Sequence, residues 1–355
     1  MGQSEKMEGQ TTKRTKKRLY LIMLLGSVSL FVLFILYLST GQVKLGFVES
    51  MQALVGYLGK LFSGGELTTS EFIVGEIRLP RAIAVIGVGI ALSVAGAIMQ
   101  AMIRNPLVDP YITGTSSGAA VAATVVMVIG FGITSSLLDF AVPIAAFVGA
   151  MAAFFFTMSL AEASGGRALN YVLAGIVTGT ALSSVTTLLL TSFPTEVQDP
   201  LFWMFGSFNQ IDWTKALLII LPSLVMCLIA LLYARELNVI LLGHEQSYQL
   251  GIDSRRLRRW MMVLAAMLTA VAVAFVGIIG FLGLIVPHIC RIMVGSDHRL
   301  LLPASMIIGA NVLLVADIIC KTATGGELPV GAVIALVGAP FFGYLLVRKG
   351  REYAG

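Results

Sequence analysis

Apolar positions along this chain fall in long unbroken blocks. Residues 19–40, 82–103, 140–161 and 328–347 contain no Asp, Glu, Lys, Arg or His. Each can cross a ~30 Å hydrocarbon layer as a helix of about 20 residues. Ten spans are predicted, near 19–40, 79–103, 111–133, 140–161, 169–192, 214–234, 259–280, 282–296, 300–321 and 328–347. One stretch is ambiguous: Trp260 to Cys290 has 31 residues and, apart from the terminal thiol, one ionisable side chain, His288. It is too long for one span and tight for two. The punctuation of Gly277, Gly280, Gly283 and Pro287 supplies a turn.

Charge placement supports two spans there. Lys13, Arg14, Lys16, Lys17 and Arg18 directly precede the first span, which puts the N-terminal end in the cytoplasm. With ten spans, cytoplasmic segments hold 18 of the 24 Lys and Arg, and both termini lie inside. A single span would turn the last five cations outward and spoil the bias.

Composition agrees. Hydrophobic residues make up 57%, charged residues 12%, and mean hydropathy is +0.91, against roughly 25% charged in soluble domains. A soluble enzyme, a nucleic-acid binder and a disordered chain are excluded. Cys227, Cys290 and Cys320 sit in apolar runs without metal or disulfide spacing. No cleavable signal peptide is expected, because the first apolar run follows 18 polar residues and is long enough to stay as a span. The domain organisation is a basic tail at 1–18 and one transmembrane domain over 19–350, with no soluble domain in the loops.

Small residues recur at helix-packing spacing, as in Gly87-Ala91-Ala95, Gly175-Gly179-Ser183 and Ala266-Ala270-Ala274. Ionisable groups are nearly missing from the spans, which leaves an ion-coupled carrier little to work with. Asp317 and Lys321 near the outer end of the ninth span are exceptions, as is His288, which reads as a helix-packing or turn residue. No Walker-type phosphate loop occurs, so the energy of any pumping must come from another chain.

Two places suit partners. Segment 235–259 reads RELNVILLGHEQSYQLGIDSRRLRR. Gly243 and Gly251 are candidate helix C-caps, giving two short helices near 236–242 and 244–250 that suit docking to a cytoplasmic protein. Arg255, Arg256, Arg258 and Arg259 are as consistent with headgroup anchoring as with a partner. On the other side, Arg78 and Arg81 open the second span three residues apart, with Lys321 at similar depth. Two readings fit the arginines: snorkelling anchors, or a basic contact for acidic residues on an external protein. Phe193, Trp203, Phe205, Phe208 and Trp213 read either as interfacial anchors or as an apolar lining for a large flat ligand.

Residues 77–120 (IRLPRAIAVIGVGIALSVAGAIMQAMIRNPLVDPYITGTSSGAA) and 277–346 (GIIGFLGLIVPHICRIMVGSDHRLLLPAS, then ADIICKTATGGELPVGAVIALVGAPFFGYLL) resemble permeases of the FecCD type. These are membrane subunits of ABC importers for iron chelates, haem and cobalamin. The resemblance covers essentially everything after residue 70. It implies an all-α, ten-helix permease of the type II ABC importer architecture, working as a homodimer in a prokaryotic cell membrane. Beneath it two ATPase subunits would use ATP and Mg, and above it an external substrate-binding protein would dock. The permease itself would be no enzyme, with no cofactor or metal of its own.

Residue by residue, the resemblance implies a coupling element at 236–252, carried by Leu237, Leu241, Gly243, His244, Glu245, Leu250 and Gly251. It implies docking of the binding protein at Arg78 and Arg81. Lys321 stands at a third position that is often Arg in such permeases, keeping the charge but losing the bidentate fork. A path near the dimer axis would be lined partly by the fifth span and by Phe193, Trp203, Phe205 and Phe208. The substrate class implied is a metal chelate, an iron siderophore or haem, with cobalamin as the alternative. An ion-coupled transporter or channel, and a membrane-embedded enzyme or assembly factor, are the competing classes.

Overall fold

The computed structural model describes residues 2–130, 135–194, 197–323 and 328–354, with side chains over 17–128, 130, 139–194, 197–243, 245–323 and 328–344. Every regular element among them is helical. Among the described residues seven helices are long and apolar enough to cross a membrane, and three shorter apolar helices, Thr115–Val128, Leu282–Val294 and Val330–Tyr344, fill the remaining expected positions.

The first helix, α1 (Gly2–Ser39), runs without a break from the basic N-terminal segment into the first span. Two helices follow in the 41–78 connection, where the sequence reading placed a loop: α2 (Phe47–Ser63) and the single turn α3 (Thr69–Phe72). A π-helical turn, Ile73–Arg78, joins α3 to α4 (Leu79–Ile103). The chain continues through α5 (Thr115–Ile129), α6 (Ser135–Ala163), α7 (Ala168–Ser192), the short α8 (Gln198–Met204) and α9 (Trp213–Leu232). Then come α10 (Ala234–Leu242), α11 (His244–Gln249), α12 (Ser254–Val276), α13 (Leu282–Val294), α14 (His298–Thr322) and α15 (Val330–Ala354).

The ambiguous stretch is two helices. α12 ends at Gly277, whose φ of +73° suits a residue without a side chain. Residues 277–281 are non-helical before α13 begins. Backbone groups freed at membrane depth need protein partners, and the Ser207 amide donates to the Val276 carbonyl at 2.8 Å.

α4 is the centre of the bundle. All of its residues except Ile83 and Ile86 are buried, beneath α9, α12, α13 and α14. Alanine, glycine and serine on several sides of α4 let these neighbours approach closely. A Cβ on Gly96 would lie 1.7 Å from the Gly283 carbonyl oxygen of α13, and one on Gly89 would lie 2.6 Å from that of Gly309 in α14. Beyond Ile103 the chain turns back at Arg104, which holds φ +55°. It re-enters through a 3₁₀ turn, Pro110–Thr113, capped by the Asp109 carboxylate accepting from the Tyr111 amide at 2.9 Å. The third span therefore starts as a broken element rather than the continuous helix expected over 111–133, because Gly114 at φ +78° interrupts it.

Candidate functional site

Polar side chains gather at the two ends of this bundle. At the outer end, α1, α4 and α14 converge. The guanidinium of Arg81 meets Asp317 side-on, with Nε 3.0 Å from Oδ2 and Nη2 2.8 Å from Oδ1. The Tyr37 hydroxyl donates to the same Oδ2 at 2.5 Å. Lys321 Nζ lies 3.5 Å from the centroid of the Tyr37 ring, a cation–π geometry. Arg78, the last residue of the π turn, donates from Nη1 to the Leu38 carbonyl at 2.6 Å and from Nη2 to the Val43 carbonyl. It thereby fastens the end of α1 and the connector that follows.

The structure brings Arg78, Arg81 and Lys321 into one cluster, but turned inward. Their relative exposures are 4%, 6% and 8%, and that of Asp317 is 1%. In the single chain the three cations expected to meet an external protein are therefore buried rather than exposed. A buried cation is stable only when paired and hydrogen-bonded, and Arg81 here spends its fork on Asp317. Sequence reading noted Asp317 four residues before Lys321 but gave it no partner across the bundle. Tyr37 carried no signal beyond its place at the end of the first span.

At the inner end, α10 and α11 form the expected two-helix element. Gly243 joins them at φ +122°, ψ +168°, and Gly251 ends the second at φ +78°, conformations that side chains resist. Leu237 and Ile240 are fully buried under the bundle. Leu241, Leu242, Tyr248 and Leu250 are exposed, and so is Glu245. The side chain of His244 lies outside the described residues.

Three further residues hold α10 in place. Arg104, at the inner end of α4, donates from Nη2 to the Ile240 carbonyl at 2.8 Å. Asn238 donates to Asp297 Oδ1 at 2.7 Å and accepts from the His298 backbone amide at 2.8 Å. Burial pushes the Asp297 carboxyl up, but the Arg299 fork and the Asn238 amide outweigh it and hold the group down at about 2. It is ionised at any working pH. Sequence reading missed Arg104, Asn238 and Asp297, because only their long-range contacts distinguish them from ordinary loop residues.

The aromatic set divides. Phe193 and Phe205 are exposed and Trp203 is half-buried. Phe208 is 1% exposed and belongs to the main core. Phe208, expected to line the path, is thus buried within the single chain, beside Ser207, whose amide donates to the Val276 carbonyl at 2.8 Å. α7 presents Leu169, Leu173, Ile176, Val177 and Leu188 outward. Several of its hydroxyls bond carbonyls of the same helix, as in Ser184 to Thr180 at 2.9 Å and Thr187 to Ser183 at 3.0 Å, while Ser183 Oγ meets Ser117 Oγ of α5 at 3.3 Å. Among the described residues no group of three His, Cys, Asp or Glu could hold a metal ion.

A multi-pass helical bundle, nearly free of charge between two polar ends, is the architecture of a polytopic membrane protein. Its relatives agree. The sequence profile of the FecCD transport family matches residues 29–348, and the chain belongs to that family, whose members are ABC importer permeases. It is 40% identical over 279 residues to the cobalamin import system permease protein BtuC of Halobacterium salinarum, covering 78% of this chain and 74% of that one. It is 37% identical over 285 residues to the hemin transport system permease protein HmuU of Yersinia pestis, covering 79% and 84%. Among solved structures, an inward-facing metal-chelate type ABC transporter matches with a TM-score of 0.80 and 28% identity, over 92% of this chain and 99% of that one.

Proposed function

We propose that this permease passes a metal chelate of the iron-siderophore or haem class through a homodimer in a prokaryotic cell membrane. Two cytoplasmic ATPase subunits, using ATP and Mg, would drive it, and an external binding protein would deliver the substrate. The observation that carries the reading is the inner element. α10 is hydrogen-bonded to α4 and to the α13–α14 connection, while Leu242, Tyr248 and Leu250 stand exposed beside it. Hinge motion of α10 would therefore pull directly on the central helix.

The outer cluster suits the binding protein. Acidic side chains docking there would compete with Asp317 for Arg81, and would meet Arg78 and Lys321 at the same depth. The path would run along the outward face of α7 with Phe193, Trp203 and Phe205. A charge-free lining lets a bulky ligand slide without being trapped, which suits alternation between two packings. Cobalamin is the second substrate reading, favoured by the 40% identity to a cobalamin permease. Uptake of radiolabelled haem, ferric siderophore and cobalamin by cells with and without the chain tests both. One ligand should enter in a chain-dependent way, stopped by ATP depletion and not by collapsing ion gradients. Uptake that follows the ion gradient instead would overturn the importer reading.

A further inference from the structure

The circumference of α2 carries three faces, not two. Ser50, Ala53 and Tyr57 are buried and point at the protein. Tyr57 donates to Glu76 at 2.8 Å and accepts from the Trp213 indole at 3.1 Å. Lys60 reaches Glu71 at 2.6 Å. A second face, at i, i+4, i+8, i+11 and i+15, is wholly apolar: Phe47, Met51, Val55, Leu58 and Phe62. Four of these are among the exposed large hydrophobics, with Val55 at 69% and Phe62 at 92%. The third face is polar and also exposed, with Glu49, Gln52 and Ser63. A helix covering a protein flank against water needs no unpartnered apolar stripe beside its polar one.

We propose that α2 lies in the outer water–lipid boundary, with the Phe47–Val55–Phe62 face sunk into the outer leaflet. Both ends of α2 are held near that boundary. Seven residues, 40–46, link it to the outer end of α1, and five residues, 64–68, link it to α3 on the way to the outer end of α4. Arg78 ties the first connector down through the Val43 carbonyl. The inward face is fixed to the π turn and to Trp213 at the outer start of α9. The protein thus occupies one side of α2, water would take the polar side, and the remaining apolar side would face lipid together with the exposed apolar residues of α1. Amphipathic helices with these three surroundings rest in the headgroup–acyl boundary. A binding protein approaching from water would meet Glu49 and Gln52 first, not this stripe.

The native cysteines are buried, so single introduced cysteines can be labelled selectively in the full chain. Val55→Cys and Phe62→Cys test the apolar face, and Gln52→Cys the polar one, each carrying an environment-sensitive fluorophore in phosphatidylcholine–phosphatidylglycerol nanodiscs. Phe62 is so exposed that its replacement leaves the packing intact. Labels at 55 and 62 should be quenched severalfold more by lipids spin-labelled high on the acyl chain than by aqueous iodide, with the order reversed at 52. Iodide quenching at all three positions would overturn the proposal. So would protection of 55 and 62 from both quenchers, since a second copy or another protein would then cover the stripe.

Discussion

Arg81 and Asp317 lie 236 residues apart in sequence and meet side-on at the outer end of the bundle, with the Tyr37 hydroxyl closing on the same carboxylate. Removing one partner of such a buried pair leaves the other charge uncompensated, which costs about 3–5 kcal/mol. Asp317→Ala should therefore lower the unfolding temperature of the purified chain in detergent markedly. Arg81→Met combined with Asp317→Leu should lose much less than the two single changes together. Equal losses from additive single variants would show that the pair is not coupled.

The same pair gives the docking proposal a sign. If a binding-protein carboxylate must displace Asp317, then Asp317→Asn releases Arg81 and should tighten docking, by tenfold or more if about 1.4 kcal/mol of pairing is recovered. Arg78→Glu with Arg81→Glu should weaken it, and salt should weaken the parent complex. Surface-captured permease titrated with the binding protein reads all three. Affinity unchanged by either substitution would place docking elsewhere.

Close approach around α4 makes a packing prediction. Gly96→Ala would drive a Cβ into the Gly283 carbonyl, 1.7 Å away, and neither backbone can yield without separating α4 from α13. The variant should fail to yield monodisperse protein from membranes. Gly59→Ala in α2, with nothing within 4 Å of its Cβ, should express like the parent.

Helix positions were largely legible before any coordinates. Eight of the expected spans sit within a few residues of helices α4, α6, α7, α9 and α12–α15, because membrane thickness fixes length and charge fixes direction. The two-helix inner element was legible too, since Gly243 and Gly251 interrupt an otherwise helical segment. Helix α2 was not read, although its stripe at 47, 51, 55, 58 and 62 was present in the sequence. Attention to charge-free blocks passes over a 17-residue helix with one polar face. Nor could sequence reveal that Arg81 faces Asp317 or that Arg104 holds Ile240. Those facts belong to packing between helices, and no local pattern encodes them.

Arg104 allows its backbone and side-chain roles to be separated. Its φ of +55° suits glycine, so Arg104→Gly keeps the reversal after α4 while deleting the bond to Ile240. Amide hydrogen exchange should quicken in α10 by severalfold and stay unchanged in α4. Exchange unaltered in α10 would remove Arg104 from the clamp.

On the proposal above, an ATPase engages this permease at the inner two-helix element. A photo-crosslinking amino acid at Tyr248, 75% exposed, tests it most directly in the source cells, with mass spectrometry of the adduct. One dominant adduct is expected, to a subunit carrying a Walker phosphate loop, lost on Gly243→Ala. A correctly inserted chain whose Tyr248 position captures no such ATPase, and whose uptake is indifferent to Gly243→Ala, would contradict it.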